Sequence, residues 1–275
     1  MKQLITAVAA ILVSTASFAQ FQVSASTGYA MSSAGMQLGT TTTTTSTENN
    51  YGSYGEGSNV QIRGTYFLNE KFGLELGLGY LHGADQTITK VSVPGQEVDA
   101  VARARAFGAS ASMVYNFTEN FYGRIGALIK VGGKTEAVVY SQSDNGNGTY
   151  SETNYIEDYH GQFPLGFVGA LGYSFDLDEN FSLFVEAEYY GISLKRKDSE
   201  ITEFNTDIYF SDGTIAQESF YTLDNLAPGY NKETTYVDEL PNNNTDTSKK
   251  LSQKVPYSSF GLNFGVTYKF SGSKK

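Results

Sequence analysis

Val60-Gln61-Ile62-Arg63-Gly64-Thr65-Tyr66-Phe67-Leu68, then Asn69-Glu70-Lys71, then Phe72-Gly73-Leu74-Glu75-Leu76-Gly77-Leu78-Gly79-Tyr80 is the stretch that decides the fold. Large apolar side chains recur at every second position on both sides of a three-residue polar break. A period of two is the signal of a strand, because successive side chains of an extended chain point to opposite faces. Leu68 and Phe72 flank the break four positions apart, so the alternation passes through it in phase, as in a tight hairpin. The pattern returns as Phe117-Thr118-Glu119-Asn120-Phe121 and as Leu177-Asp178-Glu179-Asn180-Phe181, each with Glu at the centre. Three such turns in phase with the alternation make an internal repeat.

Working outward, eight alternating segments appear: Phe21–Met31, Val60–Leu68, Phe72–Tyr80, Phe107–Phe117, Phe121–Val131, Phe163–Phe175, Phe181–Tyr189 and Ser258–Phe270. Each runs to about nine or more residues, which is what a tilted strand needs to cross the hydrocarbon of a bilayer. The other connections are long and polar: Thr40–Ser58, Gly83–Val101, Gly132–Gln162 and Lys195–Lys254, of 19, 19, 31 and 60 residues. Fold-back points within them are expected at Pro94-Gly95, at Asp144–Gly148 and at Asp212-Gly213, the last inside a hairpin of Ile201–Phe210 and Ile215–Leu223. The first carries a Thr run, Thr40–Thr45, read as flexible loop, with a modification site as the alternative. Short turns at one end and long connections at the other predict an all-β, eight-stranded, antiparallel up-and-down transmembrane barrel. A ten-stranded barrel that recruits the Ile201–Phe210 and Ile215–Leu223 pair is the alternative.

Composition agrees. The chain has 275 residues, a net charge of −10, 20 Tyr, 18 Phe, 29 Gly and 5 Pro. A mean hydropathy of −0.29 excludes a bundle of membrane helices. The acidity argues against a nucleic-acid partner, which needs a basic face. With no Cys, disulfides and thiol chemistry are excluded. Met1-Lys2, the apolar run Leu4–Val13 and the small residues of Ser17-Phe18-Ala19 read as an export signal over residues 1–19, with the barrel in residues 20–275. The four long connections hold 21 acidic and 9 basic residues, and the remainder of the exported chain 8 and 9. The acidity therefore belongs to the connections, as expected if charge on a lipid-facing surface is costly.

At this point the chain resembles the small bacterial outer-membrane β-barrel proteins, the group that includes the OmpA membrane domain, OmpX and the OmpW-like proteins. The resemblance covers about Gln20 to Phe270 and rests on the signal, the eight segments, the turn polarity and the last strand, which ends Gly265-Val266-Thr267-Tyr268-Lys269-Phe270. Five residues follow Phe270, whereas many members end on the Phe. The resemblance implies the bacterial outer membrane as location, outer-membrane lipid as surroundings, and the outer-membrane assembly machinery as a partner reading the Phe270-ended strand.

The few charges inside the segments fall on the parity opposite to the apolar residues, hence in the lumen. Arg63, Glu75, Arg124 and Glu186 each lie about three to five residues from a short turn and so at a similar height at about 3.3 Å per residue. Glu188 and Lys130 sit higher and extend the set. Two readings apply, a gate or a self-neutralising plug. The plug is favoured, because eight strands leave an interior that side chains just fill. Catalysis is not expected. His82, near Asp85, and His160, near Glu157 and Asp158, fall at the outer rim without a nucleophile motif. Gly132-Gly133-Lys134-Thr135 lacks the earlier Gly and the following helix of a phosphate loop. No cofactor or metal is expected. The expected role is non-enzymatic, in envelope integrity or in contacts to an extracellular protein or surface through the acidic loops. The alternative is a narrow pore or small-molecule transport.

Overall fold

The computed structural model describes residues 21–33 and 35–270. The expected export signal lies outside the described residues. Strand makes up 76% of those described, with no helix. In chain order the strands are β1 (Phe21–Ser32), β2 (Met36–Thr43), β3 (Thr47–Gly52), β4 (Gly57–Phe67), β5 (Phe72–Gly83), β6 (Gln86–Val93), β7 (Gln96–Asn116), β8 (Phe121–Asp144) and β9 (Thr149–Gly161). There follow β10 (Leu165–Asp176), β11 (Phe181–Gly191), β12 (Ser193–Phe210), β13 (Ile215–Thr222), β14 (Glu233–Val237), β15 (Lys249–Leu251), β16 (Lys254–Pro256) and β17 (Ser259–Phe270).

Pairing runs antiparallel from β1 through β4, β5, β7, β8, β10 and β11 to β17, and β17 pairs back onto β1. Such a cycle leaves no open edge in its lower part, which a strand structure needs where there is no water to satisfy its backbone. The members are not spaced evenly round one axis.

The three short turns share one construction. Leu68, Phe117 and Leu177 each donate their N–H to the carbonyl four residues on, at 2.8, 2.9 and 2.8 Å. The first polar residue of each triplet then caps the turn. Asn69 Oδ1 accepts from Phe72 N at 2.9 Å, Thr118 Oγ1 from Phe121 N at 2.9 Å and Asp178 Oδ1 from Phe181 N at 2.7 Å. Turn chemistry thus rests on the Asn, Thr and Asp rather than on the shared central Glu, as expected of short side chains that bond their own backbone.

Outside the ring the wall is apolar. Ile62 is 65% exposed, Leu76 70% and Ile125 65%. Leaving such a side chain in water forgoes about 1.5–3 kcal/mol each, so the wall needs an apolar solvent. Aromatic rings border it. Phe72 and Tyr115 lie 4.8 Å apart at the short-turn end, as do Phe181 and Tyr268 at 4.9 Å and Tyr268 and Phe270 at 4.7 Å. Tyr80 and Phe107 meet at 4.8 Å at the other end.

The four polar connections contain strands of their own. β7 and β8 run far beyond the apolar wall, over 21 and 24 residues. A second sheet grows from them in the order β3, β2, β6, β7, β8, β9, β12, β13. The expected fold-back points are its hairpin ends: Pro94-Gly95 joins β6 to β7, with Gly95 at φ +79°, and Asp212-Gly213 lies between β12 and β13. β12 pairs with β9, β13, β14 and β16. None of these belongs to the ring, so the Ile201–Phe210 and Ile215–Leu223 pair stands outside it.

Candidate functional site

The pleat of β4, β5, β8 and β11 brings Arg63, Glu75, Arg124 and Glu186 together at one level of the lumen. Glu186, with 0% exposure, is the hub. It accepts from Arg63 Nη1 at 2.7 Å, from Arg124 Nη2 at 3.0 Å and Nε at 3.2 Å, and from Tyr122 Oη at 3.0 Å. Glu75 is held more loosely. Its Oε2 accepts from Thr65 at 2.9 Å, while Arg124 and Arg63 stand at 3.6 and 3.9 Å. Glu188 joins from above: it pairs with Arg124, and its other oxygen accepts from Gln61 at 2.7 Å and Asn263 at 2.6 Å. Two arginines therefore face three carboxylates, and two side-chain amides support the extra negative charge. Lys130 does not join; its Nζ donates to the Gly133 carbonyl at 2.8 Å. A one-residue bulge beside it, between the pairs Phe107–Gly132 and Gly108–Lys130, breaks the regular parity of β8.

Below the cluster, toward the short turns, a cavity of about 470 Å³ is bordered by Ser24, Arg63, Glu75, Tyr122 and Lys269. Above it a chamber of about 100 Å³ lies between Gln61 and Tyr190 on one side and Ile192, Leu194 and Tyr257 on the other. An apolar cap closes over that chamber. Tyr54, Ile192 and Tyr257 come from the short connections that enter β4, leave β11 and enter β17, and they pack on Leu194, Ala102, Ala104 and Ala106. The Tyr54 and Tyr257 rings lie 5.8 Å apart, and the Tyr257 hydroxyl meets Thr135 Oγ1. Tyr54 stands in the polar connection Thr40–Ser58 and carries no periodic signature, whereas Ile192 continues the alternation of Glu186, Glu188 and Tyr190 toward Leu194. The small Ala side chains of β7 leave the space that the tyrosines fill.

The rim histidines find other partners than their sequence neighbours. His160 Nδ1 lies 2.9 Å from Asp198 Oδ1 across β9 and β12. Glu157 accepts from Tyr159 at 2.7 Å and Asp158 from Lys134 at 2.7 Å. His82 stands beside Tyr80, while Asp85 lies 3.5 Å from Arg103. Gly132-Gly133-Lys134-Thr135 lies inside β8, with Gly133 at φ +90°. On the outer sheet, Arg103 donates to Glu136 at 2.9 Å and Lys134 lies 3.3 Å from it. Partial burial raises the Glu136 carboxyl, and the two cations outweigh that and hold it below the ordinary carboxylate range.

A ring-paired β-structure with an apolar, aromatic-bordered exterior and a charged interior defines a membrane-spanning β-barrel. The chain belongs to the outer membrane protein beta-barrel domain family, whose model matches residues 5–211. It is a protein of the bacterial outer membrane. No curated protein sequence matches it. Among solved structures it is similar to Ail of Yersinia pestis in complex with the heparin analogue sucrose octasulfate, at 9% identity and TM-score 0.33, covering 92% of this chain and 97% of that one. It is also similar to OprG of Pseudomonas aeruginosa, at 14% identity and TM-score 0.37 over 92% and 96% of the two chains. Neisserial surface protein A gives 14% and 0.31 over 92% and 97%.

Proposed function

We propose that this chain crosses the outer membrane as an eight-stranded barrel with a closed lumen, and that it acts, without catalysis, through its acidic outer sheet. The two stacked closures support this reading most directly. The lumen is filled by an ion cluster centred on Glu186, and again, further out, by the apolar cap of Tyr54, Ile192 and Tyr257. Eight strands give a lumen that side chains of this size fill. In this reading β12 and β13 form an extramembrane hairpin, the cluster serves as a plug rather than a gate, and β17 with its terminal Phe270 presents the strand read during assembly. The four outer connections, which build the outer sheet and hold 21 of the 29 acidic residues, are the part free to contact other surfaces or to brace the envelope. Liposome swelling in an arabinose gradient tests the closed lumen. Vesicles with the refolded protein should swell no faster than protein-free vesicles; faster swelling that scales with protein content overturns the reading in favour of transport.

A further inference from the structure

One face of the outer sheet is covered. Ala100, Ala102, Ala104 and Ala106 of β7 are buried on it, as are Ala137 and Val139 of β8. The opposite face is open, and the strand registers place its side chains in rows that cross β7, β8, β9 and β12. One row reads Val101, Val138, Ile156 and Glu203. The next row outward reads Asp99, Tyr140, Asn154 and Asn205, and the one beyond it Glu97, Gln142, Glu152 and Asp207. On the inner side the rows end at Arg103, Glu136 and Asp158, which Lys134 helps to neutralise.

A groove of about 840 Å³ follows these rows, and Val101, Val138, Ile156, Glu97, Asp99 and Glu203 are among the residues that line it. The three aliphatic residues are half-buried. The carboxylates around them are short of counter-ions: among the described residues no Lys or Arg lies within ion-pair distance of Glu97, Glu152, Glu203 or Asp207, and Asp99 has only the exposed Lys90 at 3.6 Å. Adjacent rows on one face are about 7 Å apart, within the screening length of about 8 Å in physiological salt, so their potentials add.

We infer that this groove is a docking surface for a basic, amphipathic polypeptide segment in extended conformation. Its alternate apolar side chains would cover the aliphatic row, and its Lys or Arg residues would meet Glu203 at the end of that row and the carboxylates of the two rows outward of it. The alternation matches a strand lying on a sheet face, where every second side chain points the same way. Charge complementarity selects the occupant. A polyanion is repelled by five carboxylates, and a purely polar polycation leaves the aliphatic row wet. Association of such a segment is also accelerated by an unneutralised field of one sign. This inference rests on the proposal that the outer sheet is the acting part, and it names the partner's chemistry.

The test uses the full protein in nanodiscs and three probes in 0.15 M salt: a ten-residue peptide alternating lysine and valine, decalysine, and sucrose octasulfate. The alternating peptide should bind at least tenfold more tightly than decalysine, with no binding of the octasulfate. The triple variant Glu97→Gln, Asp99→Asn, Glu203→Gln should weaken peptide binding at least tenfold, and Val138→Ser severalfold. Neutralising three exposed acids elsewhere, Glu218→Gln, Asp224→Asn and Glu239→Gln, should leave binding within twofold. Absence of peptide binding, equal binding of decalysine, or equal loss in the two triple variants overturns the inference. So does self-association that the groove variant abolishes, which would give the surface to a second copy. The swelling assay stays separate: slow swelling without peptide binding removes this inference alone, and fast swelling with groove-dependent binding removes the closed lumen alone.

Discussion

Glu186→Gln should lower the unfolding free energy of the vesicle-embedded protein by about 3 kcal/mol, the low end of the about 3–5 kcal/mol expected when one partner of a buried ion pair is removed. The carboxylate is wholly buried and accepts hydrogen bonds from Arg63, Arg124 and Tyr122. Without its charge, two buried guanidinium groups are left with the loosely placed Glu75 and with Glu188. The low end applies because the cavity of about 470 Å³ beside Arg63 admits water, which recovers part of the lost solvation. Glu75→Gln is the internal comparison. Its arginines stand at 3.6 and 3.9 Å rather than at hydrogen-bond distance, so its loss should cost about 1 kcal/mol. Urea unfolding followed by tyrosine fluorescence ranks the two. Equal midpoints would show that Glu186 is not the hub.

A larger effect is expected at the seam where the chain closes on itself. Gly28 of β1 faces Asn263 of β17 in the register and Asn59 of β4 on its other side. A Cβ at Gly28 would lie 2.2 Å from the Leu262 carbonyl oxygen and 2.9 Å from the Asn263 Cα. A flexible side chain can step aside at such distances, but paired backbone cannot. Gly28→Val should therefore exceed the about 1–3 kcal/mol of ordinary overpacking and prevent β1 and β17 from pairing. On cold SDS gels the compact, heat-modifiable band of the refolded protein should disappear. Gly169→Ala is the control, because a Cβ there meets nothing within 4 Å. A compact band that persists in Gly28→Val would contradict closure through this seam.

The wall of the barrel was readable in the sequence because lipid outside and polar groups inside impose a strict period of two. Val60 to Tyr80 shows it, and the same parity placed Arg63, Glu75, Arg124 and Glu186 on the inner face. The outer strands were harder to read. β7 begins at Gln96 rather than near Phe107, because its inward residues there are Ala100, Ala102, Ala104 and Ala106, whose small side chains give little apolar contrast. Their burial depends on Tyr54 and Tyr257, which lie far away in sequence and fill the space above them. Lys130 keeps the inward parity of Arg124 but lies six residues further along β8, about 20 Å at about 3.3 Å per residue, which puts it out of reach of the cluster. The turns were recognised as turns through their central Glu, yet the bonds that shape them come from Asn69, Thr118 and Asp178.

The closed lumen is the central claim, and single-channel recording tests it most directly. Refolded protein inserted into planar bilayers in 1 M KCl should give no steady conductance above the lipid baseline, because in the proposed reading the cluster around Glu186 and the cap of Tyr54, Ile192 and Tyr257 close the lumen one after the other. Steady ohmic steps in the unaltered protein, whose size or ion selectivity changes on Arg63→Ala, would contradict the account and make the cluster a gate.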